Sequence, residues 1–358
     1  MSIGGDPVLR LAVAAVLGMI ALTLAFMGYA LLLHVGSVRT ERRRRALEAR
    51  WRTDLLDAAT GEVGEARADS ERSVDPELEV APEDQVLFLE LLTRYARALE
   101  YPERRVLEER ALPYLPALHR SLEDRDAYRR AHALDLLGEL GFDAAQERIV
   151  AGLADGSSLV AMVAARALAR RGRAEHLPPL LAHLGSFENW SVGYLSSLLS
   201  SFGPDSAPEL RWLVTDVEAP PRVRSVAAQA LAAVNDLEAV DPATALLPGE
   251  RDPELQADLI RLIGKLGRPD HLAHVRPLAA SPAPHVRAAV VRAVSQLSDR
   301  RSSDVELVAG ALDDPSPWVA LQAAQGLLGL GRVEDLGRLA ASSSPRAALA
   351  SEVLETSA

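Results

Sequence analysis

Residues 220–231 read PPRVRSVAAQAL, residues 283–294 read APHVRAAVVRAV and residues 314–327 read DPSPWVALQAAQGL. Each opens on prolines that suit a first helical turn and continues with alanine and branched aliphatics at helical spacing. Working outward from them, helix-ending glycines or their substitutes fall at Gly141, Gly172, Gly203, Asn235, Gly267, Ser298 and Gly331, spaced by 31–33 residues. Four positions before these markers stand Leu137, Leu168, Leu199, Leu231, Ile263, Val294 and Leu327; eight before stand Ala133, Ala164, Leu195, Ala227, Leu259, Val290 and Ala323. Both offsets lie on one face of a 3.6-residue helix, so each unit carries a strong second helix. Shorter apolar segments such as APELRWLV and DVELVAGAL precede them as first helices. Two antiparallel helices per repeat, with no alternating strand pattern, predict an all-α chain built as an α-solenoid of about seven hairpins over residues 85–358. Gln85–Glu100 is the expected N-terminal capping helix, and Ala347–Leu354 the closing one.

The three quoted stretches resemble short HEAT-like repeats of the bilin-lyase type, with Val-Arg near the start of the second helix in the first two, Val319-Ala320 in the third, and an Ala/Leu run behind it. The resemblance covers about residues 112–350. It departs at Tyr128-Arg129-Arg130 and at Trp190-Ser191-Val192, where Val-Arg is expected. The resemblance implies a solenoid fold, and its occurrence in lyases and in bacterial scaffolds alike leaves the activity open.

The 358 residues carry a net charge of -11, 4% aromatic residues and no cysteine. Absence of cysteine excludes disulfides, zinc-thiolate and iron–sulfur sites and thiol nucleophiles. The acidic balance argues against a general nucleic-acid binder, whose footprint is a basic surface.

The N-terminal part has a different character. Leu11–Leu33 (LAVAAVLGMIALTLAFMGYALLL) is free of charge and long enough to cross a bilayer, so residues 11–35 are expected to form a transmembrane helix behind a short extracytoplasmic N-terminus, 1–10. Arg39, Arg42, Arg43, Arg44 and Arg45 dominate a basic segment, 36–52, which predicts the cytoplasmic side of a single-pass inner-membrane protein and contact with anionic lipid headgroups. Residues 53–84 hold eleven carboxylates against Arg67 and Arg72 and read as a solvated acidic linker.

No phosphate loop, nucleophile elbow, His-Glu-x-x-His pair or dinucleotide fingerprint occurs. His271 and His274 lie three apart, and with no further ligand they predict an exposed helix, without a metal or cofactor. Lys265 is the only lysine. Thirteen residues before the markers the column includes Tyr128, Trp190, Arg222, Glu254, His285 and Trp318; nine before, it includes His132, Tyr194 and Asp258. Six before lie Asp135, Arg166, Ser197, Gln229, Arg261, Arg292 and Gln325, directed to solvent, so the same stripe is expected to be exposed on the concave side of a HEAT-like array. Aromatic anchors on such a surface are typical of protein recognition.

The expectation is therefore a membrane-anchored scaffold or adaptor, not an enzyme, that binds a membrane-associated protein partner and no nucleic acid. Two alternatives are a regulatory subunit of a membrane enzyme such as an envelope glycosyltransferase, and a bilin lyase-like enzyme.

Overall fold

The computed structural model describes residues 19, 23, 26–27, 43–52, 55, 80–99, 103–141 and 145–356, and every regular element among them is helical. They fall into two compact units divided between Ser121 and Leu122.

Among the described residues no helix is long and apolar enough to cross a membrane, which overturns the expected placement in the inner membrane. Of residues 11–35 only Met19, Thr23, Phe26 and Met27 are described, as helix, with Thr23 Oγ1 donating to Met19 O at 2.8 Å. The rest of 11–35 lies outside the described residues. Residues 1–10, and most of the acidic stretch 53–84, lie outside the described residues.

The first unit holds a helix over 43–52 and the helices Gln85–Ala96, Glu103–Ala111 and Leu115–Ser121. The basic segment expected beside a membrane is here part of this folded unit. Trp51 is buried with its ring edge-on to Phe88 at 5.1 Å, and Phe88 meets Tyr114 in the same way at 5.0 Å. Arg43 pairs with Asp84 at 2.9 Å, Arg44 with Glu90 at 2.5 Å, and Glu48 receives Arg94 at 2.5 Å. Arg43 and Arg44 are engaged by carboxylates of Gln85–Ala96 and its entry, and Arg94 of that helix by Glu48, partners some forty residues away that local charge counting does not reveal. Arg45 also has a partner within the protein, and Arg39 and Arg42 lie outside the described residues.

The second unit is the repeat array. Its second helices are Ala127–Leu140, Ser158–Arg171, Val192–Ser200, Pro221–Val234, Pro253–Leu266, Pro284–Leu297 and Pro317–Gly329, one before each marker. The columns four and eight residues before the markers are buried throughout, including Leu168, Leu199, Leu231, Ile263 and Val294. Shorter first helices intervene, among them Gln146–Gly152, Leu177–His183, Ala207–Thr215, Val240–Leu246 and Ser302–Gly310. Val333–Ala340 and Ala347–Thr356 end the array.

The markers act in three ways. Gly141, Gly172 and Asn235 cap their helices in the left-handed conformation. Gly267 has an ordinary φ; its glycine is required because a Cβ there would lie 2.5 Å from Ile263 O. Ser298 substitutes chemistry, its hydroxyl donating to Asp304 at 2.6 Å and accepting the Arg300 N–H at 3.0 Å. The third second helix, Val192–Ser200, has nine residues where the others have thirteen or fourteen, because Ser191 caps it late and it ends three residues before Gly203. Phe187 and Phe202 are buried at its two ends.

Alanine and glycine let consecutive second helices approach closely. A Cβ on Gly138 would stand 2.5 Å from Ala167 Cβ, and one on Gly264 would stand 2.8 Å from Ala293 Cβ. Arginines then staple the loops. Arg130, Arg224 and Arg287, each eleven residues before its marker, reach Asp155, Glu250 and Asp314 in the loop before the next second helix at 2.7–2.8 Å. The same guanidiniums donate to carbonyls behind them, as Arg287 does to Ser281 O and Pro282 O. Arg130 and Arg287 hold the Asp155 and Asp314 carboxyls below their ordinary range.

Candidate functional site

The array's depression follows from its packing. The second helices of four successive repeats line a trough of about 690 Å³. Its floor is alanine (Ala232, Ala233, Ala289, Ala293), a consequence of the small residues that let the helices approach. Its polar groups are Ser196, Gln229, Asp258, Arg261, Lys265, Arg292 and Gln296. A second depression of about 290 Å³ shares Arg292 and Gln296 and runs on to Gln322, Gln325 and Gly329.

Asp258 is the buried centre of this chemistry, only 4% exposed. It accepts from Arg261 Nη1 at 2.5 Å and from Gln229 Nε2 at 3.0 Å. Burial pushes its carboxyl above the usual range, against the opposing pull of Arg261 and Gln229 on the charged form. Ser196 Oγ donates to Gly193 O at 2.9 Å and reaches Gln229 Oε1 at 3.4 Å. Lys265 Nζ donates to Ala232 O at 2.6 Å.

The residues expected to form the recognition stripe divide into several environments. Asp258 alone among them lines the trough, together with Gln229, Arg261 and Arg292 from the solvent-directed column. Tyr128 and Trp318 are exposed, 76% and 58%, outside it. His132 and Glu254 are exposed as well, and Glu254 stands 3.6 Å from the His285 ring nitrogen. Trp190, Arg222 and His285 are half-buried. Arg222 donates to Phe187 O at 3.2 Å and to Trp190 O, and the Trp190 and Tyr194 rings lie 5.4 Å apart, tilted by 31°. A column thirteen residues before the marker therefore reaches the inter-repeat seam in some units and open surface in others.

His271 is buried, which corrects the expected exposed pair. Its Nδ1 accepts the Arg268 N–H at 2.9 Å and its Nε2 lies 3.0 Å from Asp241 Oδ1, while His274 stays exposed. Among the described residues no group of three His, Cys, Asp or Glu is placed to hold a metal. His176 occupies the equivalent place four residues after Gly172 and is wholly buried. Burial pushes its imidazole below the ordinary value, and the nearby Arg171 and Arg173 oppose the effect of Glu175. A depressed histidine contributes stability that is complete above its unfolded value near 6.5 and is lost as pH falls through that value toward the folded one. Urea midpoints are accordingly expected to fall between pH 7.5 and 5.5 in the native protein, and to fall less in His176→Leu; equal losses in the two would contradict this.

Sequence reasoning missed one surface. Pro178, Leu181, Ala182, Pro208, Trp212 and Leu213 of two first helices border an apolar groove of about 580 Å³. Trp212 is 65% exposed. The helical period carries that signal, since Leu210, Leu213 and Val214 form the buried face of Ala207–Thr215 and leave Trp212 outside it.

Residues 115–193 and 241–329 match the family model of HEAT repeats. Similar solved structures include the karyopherin Kap121p bound to the extreme C-terminus of the protein phosphatase Cdc14p, at 13% identity and a TM-score of 0.42 over 78% of this chain and 38% of that one. Kap121p bound to Pho4p is 14% identical with a TM-score of 0.41, over 77% and 36%. A designed armadillo repeat protein is 17% identical with a TM-score of 0.29, over 60% and 99%. The chain spans under half the length of the karyopherin chains. No curated protein matches it in sequence.

Proposed function

We propose that the repeat array is a protein-binding scaffold that holds a segment of a partner along the trough and performs no reaction of its own. The observation that carries this reading is the row of Gln229, Arg261, Lys265, Arg292 and Gln296, polar side chains from successive repeats that line one continuous depression; Gln229 and Arg261 also hold the buried Asp258, whereas Lys265, Arg292 and Gln296 touch no buried side chain that needs them. Repeated modules stacked in register favour an extended ligand, because each repeat adds one similar contact. The polar groups of the trough do not compose a reaction centre. Ser196 has no histidine among the trough residues, and Asp258 has no second carboxylate there with which to divide acid and base roles.

Ala233 is exposed on the trough floor, so Ala233→Trp fills the depression without entering the core. The variant is expected to lose the partner that the native full-length protein retains in affinity capture from its own cells, whereas Trp212→Ala on the outer groove keeps it. Retention by Ala233→Trp with loss in Trp212→Ala would move the binding surface to the first helices.

A further inference from the structure

The charges around the trough do not balance. Its one carboxylate, Asp258, is buried and already receives Arg261 and Gln229. Facing solvent are three cations, Arg261, Lys265 and Arg292. Lys265 bonds a backbone carbonyl, and among the described residues Arg292 makes no hydrogen bond or ion pair. The adjoining depression that shares Arg292 contributes glutamines, serine and glycines, and no acid. Elsewhere on this unit, exposed arginines that cluster share a carboxylate, as Arg166 and Arg170 both do at Asp135, and Arg148, which has none, lies outside both depressions. In a chain with a net charge of -11, three solvent-facing cations set against one buried acid leave this depression with an excess of positive charge.

We propose that the segment seated in the trough is acidic, a stretch of partner polypeptide whose Asp or Glu side chains lie on Arg261, Lys265 and Arg292. This deepens the reading of the trough as a binding surface and rests on it. The spacing suits an extended chain. Arg261 and Lys265 are one helical turn apart, about 6 Å of rise, close to the roughly 6.6 Å between alternate side chains on one face of a strand. Arg292 follows on the neighbouring helix, at the roughly 8–10 Å separation of packed helices. Gln229 and Gln296 carry amides that can donate to and accept from a peptide backbone. The ligand is polypeptide rather than nucleic acid because no aromatic ring lines either depression to stack a base.

The test is fluorescence anisotropy on the full-length chain with a labelled peptide of alternating Glu and Ala, the same peptide with Gln or with Lys in place of Glu, and an oligothymidylate. The glutamate peptide is expected to bind saturably and to weaken at high salt. Its affinity is expected to fall about tenfold or more in Arg292→Glu and in Lys265→Glu. Arg148→Glu, an exposed arginine on a first helix, should leave it unchanged. Folding of the variants is checked by circular dichroism; both substituted side chains are exposed. Equal binding of the glutamine peptide would overturn the acidic chemistry while leaving a peptide-binding trough. Preference for the lysine peptide or the oligothymidylate, an unchanged Arg292→Glu, or binding of none of the probes would overturn it too. Loss of partner capture on filling the trough is scored separately and does not depend on these probes.

Discussion

Ile263→Ala is expected to lower the unfolding free energy by about 2–5 kcal/mol, the range for truncating a fully buried aliphatic side chain. Ile263 is wholly buried in Pro253–Leu266, which packs against second helices on both sides. Truncation leaves a void within a helix packed on both sides, and the close approach of Gly264 to Ala293 leaves the helices little freedom to collapse into the space. Leu237→Ala is the matched control, since Leu237 is 68% exposed and its loss should cost under about 0.5 kcal/mol. Urea unfolding of both variants checks the pair. A loss below about 1 kcal/mol for Ile263→Ala would mean that this column is not the seam on which the array is stacked.

Arg224→Met is expected to destabilise by about 3–5 kcal/mol, because it leaves a largely buried carboxylate without its counter-ion, held only by the backbone N–H groups of Arg251 and Asp252. The Arg224 and Glu250 side chains are 6% and 10% exposed, with Nη1 2.8 Å from Oε2. Arg224 Nε also donates to Val214 O at 2.9 Å, so one side chain ties the loop behind it to the loop ahead. Methionine keeps much of the aliphatic stem, which isolates the charge and its hydrogen bonds as the quantity lost. The double variant Arg224→Met with Glu250→Leu removes both charges and is expected to recover much of the loss, an interaction that a double-mutant cycle reads directly. A double variant no more stable than the single one would show that the arginine acts through the Val214 carbonyl and not through the ion pair.

The repeat was legible because its signals are local. Seven markers, and the aliphatics four and eight residues before them, place each second helix to within a few residues, and those columns are buried as their period requires. The role of each marker was less legible. Gly267 and Ser298 stand where Gly141 and Asn235 adopt the left-handed conformation, yet neither has a positive φ. The periodicity also separated the outward column of Gln229, Arg261 and Arg292 from the core, and these residues line the trough.

Which outward column faces the depression depends on how successive helices rotate against one another. That is set by pairs such as Gly264 and Ala293, whose partners lie about thirty residues apart, and no single helix encodes it. The aromatic column was chosen by residue type. Tyr128 and Trp318 are exposed outside the trough, and Trp190 is half-buried beside Tyr194. The ion pairs of Arg43 and Arg44 are hidden from local charge counting for the same reason, because Asp84 and Glu90, which take them, come some forty residues later. His271 looked exposed from its spacing to His274, and is buried because its ring caps the turn at Arg268.

A partner polypeptide seated on the second helices would be trapped by a photo-crosslinking amino acid placed at Gln296 in the trough, and not by one at Trp212 on the outer groove, in the full-length protein in its own cells. One discrete protein adduct is expected from Gln296, lost when Ala233→Trp fills the trough, and no such adduct from Trp212. An adduct from Trp212 alone, or one from Gln296 that survives Ala233→Trp, would contradict that placement.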